Sequence, residues 1–240
     1  MDVAGGRTQR DAALNNAEWC EAVARSHGVR SRFTAAAWLA ASRTPVGYPD
    51  AVTLVPEADR SLLEGIDTSP GCSVKDSFGT LDLARDGFDV LFESTWIVRA
   101  VAAEGSGAGP RMTPAERRLD WRWSRVTRHG LEEWAELSGA RGVYRASLLA
   151  EPGVVLLQAH DGSRTVGGAA LTHTGRVVGI SNVFAVAGVP IEFVWEQLAA
   201  QTELAFPGRL QVGYESGADL MAPLGAGFRE LGPLRVWIRR

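Results

Sequence analysis

Between Val154 and Val186 three apolar runs alternate with two glycine turns, and this spacing constrains the fold more than any other feature of the chain. Val154 to His160 leads into Asp161-Gly162, Thr165 to Thr172 leads into Thr174-Gly175, and Arg176 to Val186 follows. Glycine after Asp or Thr supplies the positive φ that tight hairpin turns demand, so the segment reads as a three-strand antiparallel meander. Pro190 then opens a helix in its first turn, with Ile191, Val194, Trp195, Leu198 and Ala199 at helical spacing as far as Pro207. Leu210 to Tyr214 reads as a short strand, Ala218 to Gly225 as a second helix and Leu234 to Ile238 as a closing strand. Upstream, Asp120 to Thr127 alternates Trp121, Trp123 and Val126 with polar residues like a half-buried strand, and Leu131 to Ser138 reads as a short helix. The order β-α-β-β-β-α-β-α-β predicts an α/β (α+β) unit, a mixed and mostly antiparallel central sheet flanked by helices.

The first half carries an echo of the last third. DLARDGFDVLFESTWIVR (Asp82 to Arg99) and LGAGFRELGPLRVWIR (Leu224 to Arg239) each place Gly-Phe at a helix end and then a strand with Trp followed by Ile. Upstream, SVKDS (Ser73 to Ser77) stands where QVGYES (Gln211 to Ser216) stands in the second copy. Between the copies, AAEGSGAGPRMTP (Ala102 to Pro114) has the composition of an exposed linker. The expected organisation is therefore two tandem units, residues 1–105 and 120–240, joined by a linker at 106–119.

At 240 residues, 45% apolar and 22% charged, the chain is long enough for two small cores. A formal charge of -3 gives no overall electrostatic reason to bind nucleic acid or an anionic membrane. No apolar run approaches the roughly 20 residues that span a bilayer, and the polar N-terminus lacks a signal-peptide core, so a cytoplasmic protein is expected. Cys20 and Cys72 are too few and too far apart for a disulfide framework or a zinc site and read as buried thiols. The four His residues show no metal-ligand spacing, and no serine has the flanking glycines of a nucleophile elbow. Lys75 is the only lysine, among cations that are otherwise Arg.

From about Asp120 onward the chain resembles the GNAT N-acetyltransferase superfamily, above all in YESGADLMAPLGAGFRELGPLRVWIRR. The first half resembles the same fold weakly, through the repeat. The resemblance implies a wedge opened between two parallel strands, here Gly179 to Val186 and Leu210 to Tyr214, that receives the pantetheine arm of acetyl-CoA. It further implies cofactor contacts at Asn182, Val183, Phe184, Ala185, Gly188 and Val189, with acetyl-CoA as co-substrate and no metal. Physical reasoning reaches the same place: parallel strands that separate free backbone groups for a ligand, and a helix N-terminus beside them offers N–H donors to phosphate.

The chain departs from the family pattern twice. Its cradle reads FAVAGVPIEFVW, with Gly188 alone where the family alternates glycines, and Pro190 removes one N–H donor. Pro223 stands four residues before Gly-Phe, where many members carry a Tyr general acid. Tyr214 and Glu215 are then the local candidates for proton transfer, with Glu215 alternatively capping the helix that follows; Asp76 stands at the equivalent place of the first copy under the same two readings. The reading is an acyltransferase acting on an amine of a small molecule or protein, and a homodimer is compatible with it. Two alternatives stay open: a GNAT-like binding or regulatory protein that no longer uses CoA, and an aminoacyl-tRNA-dependent transferase, suggested by Arg residues interleaved with Trp121 and Trp123 between Arg111 and Arg128.

Overall fold

The computed structural model describes residues 3–100 and 121–240. The expected linker at 106–119, with Arg111, Arg117 and Arg118, lies outside the described residues.

An element that periodicity did not reveal opens the chain: helix α1, Val3–Ser26. Alanines at 12, 13, 17, 22 and 24 favour it, and a closing bond from the Val29 amide to the Ala24 carbonyl with Gly28 left-handed ends it. Its buried face is one-third polar, since Thr8, Gln9, Asn15 and Asn16 are buried beside the alanines and Trp19. That mixture hides the apolar stripe a helix normally displays.

The strands follow as β1 (Ser31–Phe33), β2 (Ala37–Ala40), β3 (Ala51–Thr53), β4 (Ser73–Asp76) and β5 (Phe88–Arg99). After residue 120 come β6 (Arg122–Arg125), helix α2 (Leu131–Leu137), and the meander β7 (Val154–Asp161), β8 (Arg164–Thr174) and β9 (Val177–Ala185). Helix α3 (Ile191–Ala205), β10 (Leu210–Glu215), helix α4 (Met221–Gly225) and β11 (Arg229–Arg239) complete the chain. The meander, α2 and α3 stand where the sequence placed them, with Pro190 at the N-cap rather than in the first turn. The segment expected as one helix from Ala218 is a short 3-10 turn, Gly217–Leu220, running into α4. The closing strand begins five residues earlier than its apolar run, at Arg229.

The eleven strands among the described residues form one sheet in the order β1-β2-β3-β4-β11-β5-β10-β9-β8-β7-β6. The strand that ends the first half, β5, is inserted between β11 and β10 and is antiparallel to both. The two echoing segments thus lie side by side. Gly87 and Gly227, both left-handed, take equivalent places at the two ends of this pair, one beside Arg239 and the other beside Arg99.

One face of the sheet is covered by α1 and α2, whose Trp19, Val23 and Trp134 pack with Leu156, Ala170 and Phe184. The other is covered by α3 and α4, where Trp195 and Leu198 meet Leu157, Leu171 and Ile180. Adjacent Leu156 and Leu157 point to opposite faces, as strand alternation requires. The contact of α1 with β9 is close enough to need glycine: a Cβ on Gly179 would overlap Asn15 Oδ1, and the Asn15 amide nitrogen donates to the Thr172 carbonyl at 2.6 Å.

Candidate functional site

Strands β9 and β10 are the parallel pair of the second half, and their pairing runs only from Val177·Leu210 through Gly179·Val212. Beyond Ile180 and Gly213 they part. At the same level β9 carries a bulge: Ser181 pairs with Ala170 and Phe184 with Gly168, so Asn182 and Val183 face one residue of β8 between them. Among the described residues Asn182 alone, apart from glycines, has a positive φ, at 53°. The parting strands and the bulge open a cavity of about 230 Å³, to which Ser181, Asn182, Val183, Tyr214 and Glu215 contribute.

The predicted contacts divide in two. Asn182 and Val183 line the cavity, whereas the Phe184 ring is buried against Trp134 in edge contact, with centroids 5.6 Å apart. Ala185 pairs with Gly167 on β8. Gly188 is left-handed, φ 85°, in the turn before α3, where the Val189 amide is already bonded to the Val186 carbonyl at 3.0 Å. That turn has a cation that sequence reasoning overlooked: exposed Arg164 donates to the Ala187 carbonyl at 3.3 Å.

Tyr214 and Glu215 come together at the end of β10. The Glu215 carboxylate makes no hydrogen bond or ion pair with a described residue, and the helical turn after it has Ser216 at its N-cap with no side-chain cap bond. The capping reading of Glu215 therefore finds no bond to rest on. Burial, with a smaller contribution from Asp219, raises its pKa to about 7. Asp76 differs. It is fully buried, and its carboxylate accepts the backbone amides of Phe78, Gly79 and Leu81 at 3.2, 3.0 and 2.8 Å, which makes it the cap of the turn after β4.

The remaining walls come from the first half. Lys75, on β4, is 4% exposed and donates from Nζ to Asn16 Oδ1 at 2.8 Å and to the Tyr214 hydroxyl at 3.0 Å. It also lies 4.5 Å from the centre of the Tyr214 ring, which packs edge-on with Trp96, ring centroids 5.4 Å apart. Burial works to lower the Lys75 pKa, its interactions with Tyr214 and Cys20 work to raise it, and the balance lies upward. Since the ammonium already donates to the Tyr214 oxygen, the tyrosine's own proton is directed away from Lys75. Cys20, fully buried on α1, has its pKa raised by burial and stays a thiol. The one signal for this half of the site in the sequence was the uniqueness of Lys75; nothing in the pattern linked it to Asn16 or Tyr214.

Solved structures share this architecture. A GCN5-related N-acetyltransferase from Kribbella flavida superposes with a TM-score of 0.63 over 95% of both chains at 14% identity. A protein assigned to the GNAT acetyltransferases from Novosphingobium aromaticivorans gives 0.56 over 96% of this chain and 100% of its own at 10% identity. A conserved protein of unknown function from Staphylococcus epidermidis gives 0.52 over 75% of each chain at 13% identity. No family model and no curated protein matches the chain. The fold is that of the GCN5-related N-acetyltransferases, one large mixed sheet with helices on both faces. Among the described residues no helix is long and apolar enough to cross a membrane.

Proposed function

We propose that this protein is an acyltransferase of the GNAT type, moving an acyl group, acetyl in the simplest case, from acyl-CoA to an amine. The observation that carries the reading is the convergence of the bulge at Asn182, the Tyr214 hydroxyl and the unbonded Glu215 carboxylate on the gap between β9 and β10. In the step, Glu215 takes a proton from the attacking ammonium and the freed nitrogen bonds to the thioester carbonyl carbon. The C–S bond then breaks, Tyr214 gives its proton to the departing thiolate, and the second proton of the attacking nitrogen passes to the tyrosinate oxygen, which leaves the neutral amide, the CoA thiol and Tyr214 restored. A backbone amide at the bulge polarises the carbonyl oxygen. Positioning of two reactants supplies most of the acceleration, and general base help adds about 10²–10⁴.

The fit of the CoA phosphates is uneven. Gly188 lets the chain approach closely, but the Val189 amide is occupied, Pro190 has none, and Glu192 lies in the first turn of α3. Arg164 is the group placed to offset that loss. These features favour one second reading, a GNAT-like binding protein that has given up CoA.

The order of strands supports two tandem units, 1–105 and 120–240, that exchange their closing strands, so that β5 completes the second unit and β11 the first. The cytoplasm is the compartment that suits an acyl-CoA user of this kind.

Calorimetric titration with acetyl-CoA and with free CoA separates the two readings. Micromolar binding is expected of the transferase. Absence of heat with both, together with an unchanged Tm at millimolar CoA, removes it in favour of the CoA-independent protein.

A further inference from the structure

A second cavity, of about 460 Å³, adjoins the first and shares with it Tyr48, Lys75 and Tyr214. Its walls are apolar: Pro45 and Val46 from the loop between β2 and β3, Leu91 and Phe92 of β5, Val236 and Ile238 of β11. Val46, Leu91 and Phe92 are exposed there, so an occupant with an apolar body would remove their surface from water.

Two cations face this trough, Arg43 and Lys75, and only one is compensated. Arg43 is paired with Asp50 at 2.6 Å and also donates to the Ser69 carbonyl and hydroxyl, both at 2.9 Å. Lys75 makes no ion pair among the described residues. Its two partners, Asn16 and Tyr214, are neutral and use two of its three N–H groups. A buried ammonium without a counter-charge is costly, and an anionic group brought to it by a ligand removes that cost. The cavity at the opened strands is lined, besides Lys75, by Glu215, a carboxylate suited to an amine.

We propose that the trough holds the acyl acceptor, and that the acceptor is a small amino acid-like molecule with an apolar or aromatic body, its carboxylate at Lys75 and its amine at the gap between β9 and β10. The assignment deepens the acyl-transfer reading and rests on it for the role of the amine. The binding part stands on the trough and Lys75.

The test is calorimetric titration of the full chain, without CoA, with L-phenylalanine, 3-phenylpropionate and L-phenylalaninamide. The first two, which carry the carboxylate, should bind at least about tenfold more tightly than the amide, the factor that 1.4 kcal/mol corresponds to. Lys75→Met should bring phenylalanine down to the level of the amide. Should that variant fail to fold, Leu91→Asp at the exposed rim serves instead, and should weaken both carboxylate probes at least fivefold. Equal binding of the amide, a preference that persists in Lys75→Met, or no binding of any probe at millimolar concentration overturns the proposal. Acetyl-CoA binding with no probe bound overturns the trough assignment alone and leaves acyl transfer standing. Probe binding without acetyl-CoA binding removes acyl transfer and supports the trough.

Discussion

Lys75 on β4 donates a hydrogen bond to Tyr214 on β10 across 139 residues of sequence, and this bond joins the two halves of the chain at the candidate site. The hydroxyl it orients is the proton donor of the proposed reaction. Tyr214→Phe keeps the ring against Trp96 but removes both the donor and one partner of a buried ammonium. A fall in kcat of about tenfold or more is expected, with a stability loss of about 1–3 kcal/mol by urea unfolding. An unchanged kcat would make Tyr214 a purely structural partner of Lys75.

Glu215 ties activity to stability with opposite signs. As a base with a pKa of about 7, it should give a rate that rises with pH through about 7, and Glu215→Gln should lose that limb and at least about tenfold in rate at pH 8. Its folded pKa lies above its ordinary value of 4.5, so the folded state binds the extra proton. Stability linked to this group is present below about 4.5 and is lost as pH rises through about 7. Glu215→Gln should therefore have a higher Tm than the parent at pH 8, and the same Tm at pH 4. A variant less stable at pH 8 would show a structural bond at Glu215 instead.

Arg164 should matter to the phosphates of CoA and to nothing smaller. Arg164→Ala is expected to weaken acetyl-CoA binding several-fold, the worth of a partly exposed charge on phosphate, with a shallower salt dependence. Turnover of acetyl-pantetheine, which lacks the phosphates, should be unaffected. Equal losses with both donors would place Arg164 outside the cradle.

The packing of α1 on the sheet offers a test by cycle. Gly179→Ala puts a methyl where Asn15 Oδ1 lies and should cost about 1–3 kcal/mol. In an Asn15→Ala background the same change should cost much less, and the difference measures the contact. Additive losses would show that the glycine is needed for another reason.

The insertion of β5 between β11 and β10 predicts dependence between the halves. Residues 120–240 alone leave β10 without β5, and β11 without either neighbour, so no cooperative thermal transition is expected. Adding separately produced residues 1–105 should restore one. A cooperative transition of 120–240 by itself would refute the dependence.

How much of this was legible beforehand follows from the range of the interactions. The meander, α2, α3 and β10 are set by glycine turns and by apolar spacing within a few residues, so they could be read from their own pattern, whereas the opening between β9 and β10 was implied by the GNAT resemblance. The candidate residues Asn182, Val183, Tyr214 and Glu215 lie on β9 and β10, and the structure brings those four to one cavity. Phe184, Ala185 and Val189 were near in sequence, yet the strand ladder and the turn claim their ring or backbone first. Helix α1 was missed because its inward face carries Gln9, Asn15 and Asn16, whose burial makes sense only once the partners exist: the Ser77 and Pro233 carbonyls for Gln9, Thr172 for Asn15, Lys75 for Asn16. The repeat showed that Trp96 and Trp237 occupy similar strands, but which unit each strand completes is a matter of pairing between distant edges. Local sequence thus determined the elements from α2 to β10, and the resemblance carried by the same stretch pointed to the half of the site built on β9 and β10. Only the tertiary structure decided the insertion of β5 and the arrival of Lys75, Asn16 and Tyr48, because hydrogen bonds and burial between residues far apart leave no period in the sequence.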